Sequence, residues 1–231
     1  MITLRPRLEL VLELAGTGRL AADIGADHGR LSCALLQRGR FEQVIATDVS
    51  GSSLEKARAL KEKCMAEGNL ILRVGDGLAP LAPDCPEVIL LCGMGGELIA
   101  AILQRSLELA QNARRLVLQP MGGAGCLREY LVTHGFCIVQ DRLVRDAGRT
   151  YQVITAQPGR EGPRPEGWPL GLYDPGWVCY REHDPLLQPM LERMLAIRGR
   201  ALKNAPESAQ ELREETKRLM ALKQRLEGTC N

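Results

Sequence analysis

Four short apolar runs, each stopped by glycine or aspartate, dominate the first half of this chain. LAADIGADHG at 20–29 is the first of them. Val44-Ile45-Ala46-Thr47 then ends at Asp48, Leu70-Ile71-Leu72-Arg73-Val74 runs into Gly75-Asp76-Gly77, and Val88-Ile89-Leu90-Leu91-Cys92 ends in Gly93-Met94-Gly95-Gly96. Taken singly, each acid reads as a helix cap or turn residue. Four in series are not explained that way. Ligands of open α/β sheets bind outside the carboxyl ends of the strands, and all four sites fall on that edge.

The first turn carries the most chemistry. Gly25 and Gly29 bracket Asp27; glycine lets backbone approach a ligand, and the following helix offers unpaired N–H groups. A GxGxxG dinucleotide loop is absent because Asp27 holds its middle glycine position, and no Gly-Lys-Ser/Thr phosphate loop occurs. An acid in this turn repels a pyrophosphate and tolerates a cation. S-adenosylmethionine, with a sulfonium and no phosphate, fits; an ordinary strand–turn–helix joint is the plain alternative. On the cofactor reading Asp48 binds the ribose hydroxyls. Asp76 or the backbone at Gly77 reaches the adenine amino group, and the glycines at 93–96 form a bare floor where a flat base enters.

Alternating strands and helices followed by a hairpin predict a doubly wound sheet with one reversed strand. The expected strands are 20–24, 43–47, 70–74, 88–92 and 115–119. Two more, 136–144 and 149–156, flank the hairpin signal Asp146-Ala147-Gly148. Helices are expected at 4–16, 31–38, 53–67, 97–111 and 125–134, with Ser50 or Ser52 capping the third. Pro, Gly and Trp crowd the segment from 158 to 175. Beyond it, 185–202 and 207–227 read as an antiparallel helical hairpin turned at Asn204-Ala205-Pro206. The expected division is thus 1–159, a connector 160–183 and an arm 184–231. The arm either packs on itself or the sheet, or contacts RNA through Arg193, Arg198, Arg200 and Lys203.

At 231 residues, the chain suits one domain plus an appendage. A formal charge of +2 gives no bulk nucleic-acid affinity, so any RNA site must be a local basic patch. No apolar run approaches a membrane span, and MITLRPRLEL lacks the apolar segment of a signal peptide. The eight cysteines form no CxxC pair and there are three histidines. No metal site is expected, and reduced thiols in the cytoplasm are.

With these residues in view, the chain resembles the TrmK family, bacterial tRNA methyltransferases acting on N1 of adenine 22. The similar segments are ADIGADHG at 22–29, GDGL at 75–78, GMGGELIAAIL at 93–103, LQPMGGAGCLREYL at 118–131 and RTYQVITAQPG at 149–159. Gly29-Arg30 and Met121 depart from the family's pattern. The resemblance implies a Rossmann-like, seven-stranded class I methyltransferase sheet with a C-terminal antiparallel helical hairpin. It implies S-adenosylmethionine as cofactor and tRNA as partner, in a chain favoured to be a monomer.

It also implies site roles. Asp27 is the catalytic candidate, stabilising charge that develops on the base; capping helix 30–38 is its alternative. Gly25 and His28 shape the methionine end, with His28 more a turn-positioning residue than a proton carrier. Asp23 steadies the loop or the cofactor amine, and Gly93 and Met94 line the channel. Arg7 and Arg30, with Arg5, are candidates for holding phosphates, and Gly95, Gln119 and Pro120 fall on the substrate side. Tyr151 is a base-stacking ring or a hairpin packing residue. The competing functions are a small-molecule methyltransferase, which needs a lid not evident between the strands, and a non-catalytic RNA-binding or S-adenosylmethionine-sensing module.

Overall fold

A computed structural model describes residues 1–64, 69–82, 84–206 and 208–228. The chain runs α1 (Pro6–Ala15), β1 (Gly18–Ile24), α2 (Arg30–Gln37), β2 (Phe41–Asp48), α3 (Gly51–Cys64) and β3 (Asn69–Val74). A 3-10 turn (Ala79–Leu81), β4 (Val88–Met94), α4 (Gly96–Arg105), α5 (Leu107–Asn112), β5 (Arg115–Pro120) and α6 (Ala124–Thr133) follow. The hairpin β6 (Phe136–Asp146) and β7 (Arg149–Pro158) closes the sheet, before α7 (Trp177–Arg181), α8 (Leu187–Lys203) and α9 (Gln210–Gly228). The strands form one sheet in the order β3-β2-β1-β4-β5-β7-β6. Strands β1 to β5 pair in parallel, while β7 is antiparallel to both β5 and β6. The expected doubly wound sheet with one reversed strand is what forms.

Alternation along the central strands explains the layers. Leu20, Ala22 and Ile24 of β1 enter one apolar cluster with Ile89, Leu91, Leu116 and Leu118, whereas Ala21, Val88, Leu90 and Val117 enter another. Successive side chains of a strand point to opposite faces, so a strand buried on both faces reads as a continuous apolar run. Helices α1 and α2 cover the second cluster; α4, α6 and the C-terminal helices cover the first. Between β1 and β4 the chain's winding reverses direction. That split is where an open α/β sheet leaves a crevice.

Two local expectations need correction. The helix expected over 97–111 is two helices, because Ser106 leaves helical geometry (φ −136, ψ 44). Its N–H bonds the Leu103 carbonyl at 3.2 Å while its own carbonyl accepts from Ala110, restarting the helix. The segment 160–183 is more than a connector by composition: it contains α7, and Trp168, Leu172 and Trp177 join the apolar cluster under the sheet. The arm also continues that core, through Met190, Leu191, Met194, Leu219 and Leu222. The expected end of the third helix at 67 and the expected start of the last at 207 lie outside the described residues.

One buried ion pair fastens this second layer. Arg128 of α6 and Asp141 of β6 are both fully buried. The Arg128 Nε donates to Asp141 Oδ2 at 2.8 Å and its Nη2 to Oδ1 at 3.1 Å, with Nη2 also donating to Gln152. Its Nη1 donates to the Tyr173 carbonyl at 3.0 Å, which ties 160–183 to the sheet. Burial alone would ease the proton off Arg128, but Asp141 and then Asp174 hold it above its ordinary value. Removing one partner strands the other charge without water. Arg128→Ala is therefore expected to destabilise the fold by about 3–5 kcal/mol, measured by urea unfolding; a loss below about 1 kcal/mol would show that the pair does not hold the layer.

Candidate active site at the strand reversal

A cavity of about 400 Å³ opens at the carboxyl ends of β1 and β4, lined by Arg7, Asp23, Gly25, Asp27, His28, Arg30, Cys92 and Gly93 among others. That volume falls in the range of small-molecule sites. The loop after β1 is laced to β2: Gly25 and Ala26 both donate N–H to the Thr47 carbonyl, at 2.8 and 2.9 Å. Gly25 has φ +68, and a Cβ there would collide with Met94 Cε. Asp48 holds the next stretch. Its Oδ2 accepts the Asp27 N–H at 3.0 Å and its Oδ1 the Ser50 N–H at 2.8 Å. Ser50 in turn accepts the Ser53 N–H with its Oγ at 3.3 Å, so of the two expected caps Ser50 is the one used.

Asp27 is exposed, has φ +49 and lies 2.5 Å from His28 Nδ1. It does not cap α2: the N-cap is Gly29 and no side chain bonds there. Its carboxylate therefore remains available on the cavity side. Asp23 differs, being almost fully buried and accepting the Ser32 hydroxyl at 2.5 Å. On the other bank, β4 bulges at Gly93, with Cys92 opposite Gln119 and Met94 opposite Pro120. Gly93 (φ +77) gives its N–H to Gln119 Oε1 at 3.2 Å instead of to the strand ladder. Bulges of this kind re-aim a strand beside a site.

Not every expected residue reaches the cavity. Gln119 is wholly buried: its Oε1 also accepts Arg7 Nη1 at 2.9 Å and its Nε2 donates to the Pro120 carbonyl. It braces Gly93 and Arg7 and presents no atom to a substrate, a correction to the expectation of direct contact. Arg7 is likewise no free phosphate grip. It bonds Gln119 and Met121 Sδ, and its guanidinium lies 5.2 Å from the centre of the Tyr151 ring. Arg30 lines the cavity and donates to the Thr3 carbonyl at 2.7 Å, while Arg5 points away toward Asp146. Asp76 is exposed and paired with Arg105 at 3.1 Å, next to the left-handed Gly77. Asp48, Asp76, Gly77, Met94 and Gly95 stand around this cavity's edge of the sheet without lining it. Pro120 and Tyr151 line a neighbouring cavity instead.

Residues 4–154 match the family described as "Methyltransferase domain". The chain belongs to that methyltransferase family. It is 30% identical over 158 residues to the tRNA (adenine(22)-N(1))-methyltransferase of Bacillus subtilis, a stretch covering 68% of this chain and 66% of that protein. The chain thus spans just under two thirds of this relative's length. Its fold superposes with a TM-score of 0.83, at 28% identity, on a Streptococcus pneumoniae candidate tRNA (m1A22) methyltransferase solved with S-adenosyl-L-methionine, covering 96% of this chain and 100% of that one. The crystal structure of TrmK from Bacillus subtilis shares the fold with a TM-score of 0.82 at 24% identity, covering 100% of both chains. The resemblance to TrmK proteins read from the sequence is borne out.

Two residues at this edge of the sheet, one lining the cavity and one next to Asp48 in sequence, escaped sequence reasoning. Cys92 faces the cavity, and burial, followed by the nearby Asp23, pushes its thiol far up, so it stays protonated. The signal was its place just before Gly93 at a strand end. Val49 is 70% exposed directly after Asp48, an apolar side chain left in water at the binding edge. Among the described residues no cluster of His, Cys, Asp or Glu could hold a metal ion, and no helix is long and apolar enough to cross a membrane.

Burial raises the Asp23 carboxyl from 3.8 to about 6, with the Ser32 hydrogen bonds pulling the other way. Between those values the folded chain keeps a proton that the unfolded chain has lost. Stability from this group is therefore full below about pH 4 and falls as pH rises to about 6. Two pKa units correspond to about 3 kcal/mol. Relative to Asp23→Asn, the ligand-free protein should lose about that much over this window in urea unfolding. Equal pH slopes in the two proteins would show that Asp23 is not held in this way.

Proposed function

We propose that this chain transfers a methyl group from S-adenosylmethionine to N1 of an adenine in tRNA, with adenine 22 the favoured target. The observation that carries it is the cavity at the β1–β4 reversal, acid-lined and glycine-walled, in a chain of the methyltransferase family. Its donor set suits the cofactor. The buried Asp23 and the exposed Asp27 offer carboxylates to a cation, and the Gly25 and Gly93 backbones leave room for close approach. The two arginines lining the same space already direct hydrogen bonds to Gln119, Met121 and Thr3, which weakens any appeal to a pyrophosphate.

The bound cofactor supplies an electrophilic methyl on a sulfonium. The chain's own part is placement and charge. Asp48 is fixed by two backbone donors, and an ionised carboxylate retains lone pairs for the ribose hydroxyls. Val49, beside it, offers an apolar face to the adenine ring of the cofactor. Asp23 neutralises the amino end. Adenine N1 would take the methyl with its in-plane lone pair as the methyl–sulfur bond breaks and its electron pair leaves with the sulfur as a neutral thioether, so that positive charge passes to the base. Asp27, fixed through its own N–H and held by His28, stabilises that charge and accepts the proton the N6 amino group later gives up. Reaching the cavity requires the target base to leave its stack. A tRNA substrate also accords with a cytoplasmic setting for the chain.

Mapping by mass spectrometry of tRNA incubated with the protein and labelled cofactor tests the activity; unmethylated tRNA would overturn it. Asp27→Ala should bind S-adenosylmethionine as wild type does and lose single-turnover methylation by on the order of 10²-fold. A rate within a few-fold of wild type would remove Asp27 from the chemistry. Asp48→Ala should weaken cofactor binding by about tenfold or more in calorimetry, since it loses the ribose acceptor and loosens the Asp27 loop together. Unchanged affinity would end the ribose assignment.

A further inference from the structure

A second cavity, of about 290 Å³, lies between the carboxyl edge of the sheet and the arm. Pro120, Met121 and Tyr151 form one wall, and Met190, Met194 and Ile197 of α8 the other. Ile197 is 48% exposed and Met121 46%, so both walls present apolar surface to water. Two cations flank this surface, Arg149 from the β6–β7 hairpin and Arg193 from α8. Neither guanidinium makes a hydrogen bond or ion pair among the described residues, in contrast to those of Arg128 and Arg198, which are bonded to Asp141 and Glu215. The one acid lining the cavity, Asp174, accepts from Gln152 at 3.1 Å and from the buried Arg128 at 3.5 Å. Its charge is therefore already opposed, and the cavity is left cationic at the rim and apolar inside.

The two cavities share a wall. Arg7 lines the first, Tyr151 lines the second, and the guanidinium lies over the ring. An adenine entering the first cavity would therefore have the second just across the Arg7–Tyr151 contact. Turning that adenine out also unstacks its neighbours, which exposes a base face and leaves a phosphate on each side. Proteins hold such nucleotides by packing the base on apolar or aromatic surface and the phosphate on arginine.

We propose that the second cavity is an RNA subsite that seats the nucleotide adjoining the target adenosine, its base against Met190, Met194 and Ile197 and its phosphate between Arg149 and Arg193. This rests on the RNA-methylation reading of the first cavity. The subsite would make the arm part of substrate selection, since Met190, Arg193, Met194 and Ile197 of its lining come from α8.

The test uses the full chain, an intact tRNA, and two matched RNAs in which one or the other neighbour of the target adenosine is abasic. Arg149→Ala with Arg193→Ala should raise the tRNA dissociation constant by about tenfold. It should also make the slope of log affinity against log salt shallower by one to two units. Ile197→Glu, at an exposed position, should weaken intact tRNA by a similar factor but leave binding of one abasic RNA at the already reduced wild-type level. S-adenosylmethionine affinity, read by calorimetry, should match wild type in every variant and so report an intact fold. Variants that bind intact tRNA within twofold of wild type would overturn the subsite. So would an Ile197→Glu effect of the same size on intact and both abasic RNAs, because the base would then not be what the cavity holds. A wild-type protein that methylates no tRNA would fail both the function and the subsite, whereas methylation with indifferent cavity variants would fail the subsite alone.

Discussion

Everything at the binding edge depends on the reversal of winding between β1 and β4. Strands β2 and β3 extend the sheet one way from β1, and β4 and β5 the other. Parallel strands need crossovers of consistent hand, so the helices leave these two strand ends in opposite directions and cannot close over them. The crevice is a product of topology before any side chain is chosen. What the sequence adds is glycine where backbone must come close, at Gly25 and at the Gly93 bulge, and acid where a cation must be met.

The acids are not equivalent, and their differences come from solvent. Asp23 is sealed beneath the loop with one hydroxyl partner, so its charge is disfavoured until something positive approaches. A cation arriving there gains more than it would at an exposed carboxylate, because little water competes for the contact. Asp48 is half-buried and braced by two N–H donors, which makes it a fixed strut between the Asp27 loop and the start of α3. Asp27 stands in water beside His28. A buried acid, a braced acid and an exposed acid held by a histidine thus sit within one stretch of the sheet edge.

Much of this was legible in the chain because it is local. Strand ends marked by Gly or Asp at 25, 48, 75–77 and 93 could be read directly, since strands buried on both faces leave unbroken apolar runs and turns need particular residues. The hairpin at Ala147-Gly148, both with positive φ, was equally plain. What was not legible depends on contacts distant in sequence. Nothing near Gln119 says that its amide will be turned inward to brace Gly93 and Arg7. Nothing near Trp168 or Trp177 says that a Pro- and Gly-rich segment will fold under the sheet, because that packing is decided by Arg128 and Asp141, tens of residues away. The break at Ser106 falls in a stretch otherwise rich in helix formers, and a lone serine does not by itself mark a helix end.

The scarcity of aromatic residues narrows the base-binding question further. The chain has two Phe, two Trp and four Tyr. Phe41 and Phe136 are core residues. Trp168 packs edge-on to Tyr180 and Tyr173 to Trp177, with Arg164 over both members of the second pair. Tyr130 stacks on His134 on the far side of α6's last turn. That leaves Tyr151 as the one Phe, Trp or Tyr side chain lining either cavity. One of its faces is covered by the Arg7 guanidinium, which fixes the ring's tilt and keeps a cation beside it. A site that must turn an adenine out of its stack has to replace lost stacking with some other surface. On the proposed function, the surface at hand is one tyrosine, the methionines of the arm and bare glycine backbone. On the proposed subsite, the arm's apolar face would supply contact area that a more aromatic chain could place on the sheet itself.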